Sequence, residues 1–151
     1  ARAMFDADAA SRALGMEIAG VSAGRATVRM TITAAMLNGH RIGHGGYTFM
    51  LADSAFAFAC NGYDVATVAA ACDIVFTAPT HEGDLLEAVA VERLRAGRRG
   101  VYDVTVSRID PSGAQPPTVV AEFRGISQST SGTLLGRTPA SGPSPEGTRA
   151  P

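Results

Sequence analysis

Lysine is absent from this 151-residue sequence: all 13 basic residues are arginines, set against 14 acidic ones for a formal net charge of -1. A chain so close to neutrality lacks the cationic surplus that bulk nucleic-acid binding requires. Aromatic residues make up only 6%, too few for a row of base-stacking platforms. Charged residues amount to 18%, below the roughly 25% typical of soluble domains, so the position of each charge carries information. The two cysteines, Cys60 and Cys72, have apolar neighbours and neither CxxC spacing nor an adjacent histidine cluster. They read as reduced core thiols of a cytosolic protein rather than a disulfide or metal pair. No run of about 18 uncharged apolar residues occurs, and no basic n-region followed by an apolar h-region opens the chain. A soluble, cytoplasmic protein is the expectation.

What is present fits one domain with one core. From Gln128 onward Ser, Thr, Gly and Pro dominate, and four of the eight prolines fall between Pro139 and Pro151. Such a stretch cannot build a core. The domain is therefore assigned to residues 1–135, its folded part running roughly over 5–127, and residues 136–151 to a disordered or loosely packed tail. A short amphipathic helix is predicted over 6–14, stopped by Gly15. Ala26, Val28, Met30 and Ile32 alternate with Thr27, Arg29 and Thr31, the pattern of a strand with one wet face. After a Gly- and His-rich turn at 38–46, residues 47–60 are apolar at almost every position, which predicts a buried helix. Strand-like runs follow at 68–78, 85–95, 101–109 and 118–127. A strand, a buried helix and then a series of strands predict an α+β domain whose antiparallel sheet wraps the helix.

Within that helix lies Asp53, the only formally charged residue between Ile42 and Tyr63. A carboxylate in apolar surroundings costs several kcal/mol unless it is paired, hydrogen-bonded or wetted. Either Asp53 faces solvent or backbone donors, or it is a general base or nucleophile lining an apolar cleft, its basicity raised by desolvation. Gly45 and Gly46 stand at the helix N-terminus, where free N–H groups and the helix dipole favour developing negative charge. Lacking side chains, they would admit a substrate oxygen, a credible oxyanion site. Asp53 lies seven residues beyond Gly46, roughly 10 Å along the axis. An antiparallel pairing with the same helix of a second subunit would bring the two together, which implies a site shared across a two-fold dimer.

The ordered set Asn38, His44-Gly45-Gly46 and Leu51-Ala52-Asp53 resembles the signature of the PaaI-like acyl-CoA thioesterases of the hotdog superfamily, especially those of phenylacetate degradation. Ala59-Cys60-Asn61, Gly100-Val101-Tyr102-Asp103 and Phe123-Arg124-Gly125 extend the match over residues 5–135. The resemblance implies a hotdog fold, a homodimer or homotetramer built as a dimer of dimers, and hydrolysis of phenylacetyl-CoA-like or hydroxyphenylacetyl-CoA thioesters at the subunit interface. It implies Asp53 as general base or nucleophile, the N–H of Gly45 or Gly46 as carbonyl polariser, Asn38 as an orienter of water or carbonyl, and His44 as a structural hydrogen-bonder at the helix start. Some relatives carry a Ser or Thr on the strand after the helix, where this chain reads Ala69-Ala70-Ala71; the partner of Asp53 is left open.

Thioester hydrolysis needs a placed water, a base and an oxyanion site, and no metal or redox cofactor is expected; coenzyme A belongs to the substrate. His40, His44 and His81 offer no third ligand at zinc spacing. Ser54 lacks the sharp strand-to-helix turn of a nucleophilic serine and reads as core. The arginines of Arg93-Leu94-Arg95-Ala96-Gly97-Arg98-Arg99 are either a solvated hairpin turn or, in Arg98 and Arg99 with Arg124, forked donors for the coenzyme A phosphates. Phe49, Phe56 and Phe58 read as core, with some available to line an acyl pocket. Two other functions fit the same residues: a hotdog dehydratase or hydratase using His44 and Asp53 as an acid/base pair, and a non-catalytic acyl-CoA-binding module.

Overall fold

Strand β2 (Arg25–Thr31) shows the alternation expected of it, with Ala26, Val28 and Met30 fully buried and Arg25, Arg29 and Thr31 exposed. It belongs to a single antiparallel sheet in a computed structural model that describes residues 2–130. The other strands are β1 (Glu17–Ser22), β3 (Thr67–Phe76), β4 (Leu85–Ala96), β5 (Arg99–Ile109) and β6 (Thr118–Ser129), ordered β1-β2-β4-β5-β6-β3 across the sheet. Two short helices, α1 (Arg2–Ala7) and α2 (Ala9–Ala13), precede the sheet, and the long helix α3 (Gly45–Cys60) lies between β2 and β3 in sequence. The 136–151 tail lies outside the described residues.

Helix α3 is apolar nearly all round because the sheet curls over it. Leu51, Ala52, Ala55, Phe56, Phe58 and Ala59 are buried against inward side chains such as Val28, Leu86, Ala88, Tyr102 and Val104. Phe56 packs on Tyr102 and Phe123, with ring centroids 5.4 and 5.9 Å away. Its ring fills the space that a side chain at Gly125 would need. The core assignment of Phe56 and Phe58 is thus borne out. One stripe of α3 is not covered by the sheet: exposed Gly46 and half-buried Met50, Asp53 and Ala57 recur at three- and four-residue spacing on a single face.

Four expectations need correction. The single helix over 6–14 is two, because Asp8 interrupts it and caps α2, its Oδ1 accepting from the Ser11 amide at 3.0 Å. Strand β1 was not expected; its register slips between Ile18 and Gly20, so it shows no clean alternation. Strand β6 continues through Gln128 to Ser129 because β3 and β5 both pair with that segment. Cys60 is buried as expected, but Cys72 is exposed, since β3 is an edge strand of the sheet and pairs only with β6 among the described residues.

Candidate active site

The turn that precedes α3 is built by backbone pairing. The amide of Asn38 donates to Ile42 O at 2.8 Å, that of Gly43 to Thr80 O at 2.7 Å, and that of His44 to Met36 O at 2.8 Å. Thr80 sits so close to Gly43 that a side chain there has no room. The side-chain oxygen of Asn38 accepts from the His40 amide at 2.9 Å, which leaves its NH2 group to act outside the turn. His44 then caps the helix: its Nδ1 accepts from the Gly46 amide at 2.9 Å. The Tyr47 amide donates to His44 O at 3.0 Å. Of the first three helical amides, Gly45 alone finds no acceptor among the described residues.

Asn38, Gly45, Thr48 and Phe76 line an open groove of about 510 Å³ at this end of the helix. The ring of Phe76, a half-exposed residue at the end of β3, lies where a Gly45 side chain would stand. The missing side chain thus first makes room for Phe76, and it leaves the amide uncovered on the groove.

Asp53 is half-buried on the open stripe of α3. Desolvation by burial raises its carboxyl above the usual carboxylate range, partly countered by a hydrogen bond from Cys72, whose Sγ is 3.9 Å from Oδ1. Gly45 lies eight residues earlier, about 12 Å along the axis. One chain therefore gathers Asn38, His44, Gly45 and Gly46 at the helix start and holds Asp53 apart from them.

The arginines stand elsewhere. Arg98 lies in the β4–β5 turn and Arg99 opens β5, where it pairs with Gln128. This is the end of the sheet reached by the C-terminus of α3, since Asn61 bonds both N–H and C=O of Thr67, and Thr67 pairs with Ser129. Arg98 donates to Ser129 O from Nε at 3.0 Å and Nη2 at 2.8 Å. Arg124 faces away from α3 and holds Asp103 through two bonds of 2.7 and 3.0 Å. Those bonds keep the Asp103 carboxyl below its ordinary value. The guanidinium of Arg99 is exposed and makes no hydrogen bond or ion pair among the described residues. Phe49 meets Phe123 edge-on at 5.5 Å, a contact on the margin of the core.

Phe76 on the groove and Cys72 beside Asp53 carry no sequence signal of those places: Phe76 reads only as part of a strand, and Cys72 reads as core because its neighbours are apolar. Among the described residues no group of three or more His, Cys, Asp or Glu side chains could hold a metal ion, and no helix is long and apolar enough to cross a membrane.

One antiparallel sheet wrapped round a long helix, with a groove at the helix start, is the hotdog fold. No family model matches the chain. Acyl-coenzyme A thioesterase PaaI of Escherichia coli (strain K12) is 46% identical over 136 residues, which cover 90% of this chain and 93% of the relative. The solved structure of the E. coli PaaI protein, from the phenylacetic acid degradation operon, superposes with a TM-score of 0.81 at 45% identity and covers 87% of this chain and 91% of that one. A variant of the phenylacetic acid degradation protein PaaI from Thermus thermophilus gives 0.71 at 33% identity, over 78% and 96% of the two chains. The chain belongs to the PaaI family of acyl-CoA thioesterases.

Proposed function

We propose that this thioesterase hydrolyses aryl-acetyl coenzyme A esters, phenylacetyl-CoA and hydroxyphenylacetyl-CoA among them, at a site completed by a second copy of the chain. The observation that carries the reading is the pairing of a desolvated lone carboxylate, Asp53, with an acceptor-free amide, Gly45, on one helix. In the reaction Asp53 takes a proton from water as the water oxygen adds to the thioester carbonyl. The Gly45 N–H, aided by the dipole of α3, holds the resulting oxyanion. Collapse breaks the C–S bond, and the proton passes to the departing thiolate. The base is worth roughly 10²- to 10⁴-fold and a single oxyanion donor about 10²- to 10³-fold. The NH2 group of Asn38 is available to orient water or carbonyl.

Phe76 gives the groove an aromatic wall beside the Gly45 amide, and the solved E. coli and Thermus thermophilus relatives are proteins of phenylacetic acid degradation. With its Nδ1 lone pair committed to Gly46, His44 can serve the dehydratase alternative only as the acid, with Asp53 as the base. For a second copy the support is β3. This ten-residue edge strand exposes Val68, Val75 and Phe76 and carries one charged residue, Asp73. A long apolar edge is a pairing surface, and two-fold pairing of antiparallel copies would set one α3 start beside the other's Asp53. The same pairing would carry Arg98 and Arg99 toward the partner's groove, with Arg99 the guanidinium left for a coenzyme A phosphate.

The test is thiol release from a panel of aromatic and aliphatic coenzyme A esters, with Asp53→Ala beside the wild type. Fastest turnover of the aryl-acetyl esters and a loss of at least roughly 10²-fold in the variant are expected. Preference for straight-chain esters would overturn the substrate reading, and near-wild-type activity of Asp53→Ala would overturn the assignment of the base.

A further inference from the structure

Asp53 has one hydrogen-bond partner among the described residues, and it comes from the strand after the helix rather than from α3 itself. The thiol of Cys72 donates to Oδ1 across 3.9 Å. What aims Cys72 at the helix is an irregularity in β3. Ala69 stands opposite Ser127 and Cys72 opposite Gly125. Ser127 and Gly125 are two residues apart and both buried on the α3 side of β6. Their partners on β3 are three apart, so one extra residue has been inserted between Ala69 and Ala71. In a regular strand Ala71 would follow Ala69 on the inner face; the bulge turns Ala71 outward, opposite Ile126, and brings Cys72 in. Gly125 opposite adds no side chain of its own.

We propose that Cys72 is a positioning residue for Asp53: its S–H holds Oδ1 and so leaves Oδ2 to face the attacking water. The inference rests on Asp53 being the base. A thiol suits the task because it is a weak donor, able to fix a carboxylate without stabilising the charged form as strongly as an amide or ammonium group would. Burial and the nearby carboxylate push the Cys72 thiol up, which keeps it in the donor form. The other titratable group coupled to Asp53 is Cys60, seven residues along α3, pushed up to about 12 chiefly by burial. No charged side chain of β3, β5 or β6 contributes to the shift at Asp53.

The experiment is the pH profile of kcat and kcat/KM for the full-length wild type, Cys72→Ala, Cys72→Ser and Asp53→Asn, on the fastest ester of the panel, with thermal unfolding alongside. For Cys72→Ala, kcat should fall about 3- to 10-fold, the span of one hydrogen bond from a weak donor. KM should stay within about twofold, because the lost contact touches the base and not the ester. The acid limb should move to higher pH, since a donor to the charged carboxylate is gone. Cys72→Ser, which keeps a donor, should recover both kcat and the limb. An inactive Asp53→Asn together with a Cys72→Ala whose kcat and acid limb are unchanged overturns the role of Cys72 alone. A Cys72→Ala that loses thermal stability while its limb stays in place also overturns it, because that marks a packing role. An active Asp53→Asn removes the base itself and this inference with it.

Discussion

His44 accepts through Nδ1 the amide proton of Gly46, two residues further on, at 2.9 Å. The bond makes the imidazole the N-cap of α3, a place usually held by Ser, Thr, Asp or Asn, and it commits one of the two glycine amides. His44→Ala is expected to cost about 0.5–2 kcal/mol of stability, the range for losing a capping acceptor. His44→Ser should recover most of that, since its hydroxyl can accept from the same amide. Urea unfolding of the three proteins measures both. Equal midpoints for wild type and His44→Ala would show that the cap contributes nothing to stability.

Asp53 weakens the fold when its carboxyl is ionised. Its carboxyl is raised in the folded chain by desolvation, so the native state keeps a proton at pH values where the unfolded chain has released it. Stability therefore falls as pH rises from the ordinary carboxylate range through the raised value, and the cost is fully present above it. Asp53→Asn removes the charge and is expected to raise Tm at neutral pH, with the gain vanishing below the ordinary carboxylate range, where both proteins are neutral at that position. Scanning calorimetry across pH provides the check. A variant less stable than wild type at neutral pH would contradict the sign.

The contrast between what was legible and what was not is physical. Period-two alternation marked β2, and the unbroken apolar run marked α3, because each pattern reflects one uniform surface. Asp53 stood out because charge is sparse. The role of Cys72 was hidden: three identical alanines give no sign of which residue is the extra one, and counting by twos from Ala69 points to Ala71 rather than Cys72. Arg124 was hidden for another reason. Its partner Asp103 lies 21 residues earlier, and only the β5–β6 register sets them opposite each other.

That pairing narrows the arginine question. Arg124 is held by Asp103 and Arg98 by Ser129 O, so of the three arginines proposed for phosphate contact Arg99 is the one whose guanidinium has no partner among the described residues. Arg99→Ala is expected to raise KM for full coenzyme A esters about 3- to 10-fold, the scale of one charge-assisted contact at an exposed site. KM for short pantetheine esters, which lack the nucleotide phosphates, should not change. Equal effects on both esters would return Arg99 to the role of a solvated turn.

Val68 and Val75 project from β3 with 54% and 58% of their surfaces exposed, and the strand's outer edge has no partner among the described residues. A two-fold partner would present the same strand, so a charge placed there meets its own copy. Val68→Asp combined with Val75→Asp is expected to convert a dimer or tetramer into monomers by light scattering. Thiol release should fall at least about 10²-fold, because Gly45 and Asp53 lie about 12 Å apart on one helix and neither can serve a carbonyl held by the other. The strand itself should survive, since β6 still pairs with it along its inner edge. A monomeric variant with full activity would mean that one chain brings base and oxyanion donor together unaided.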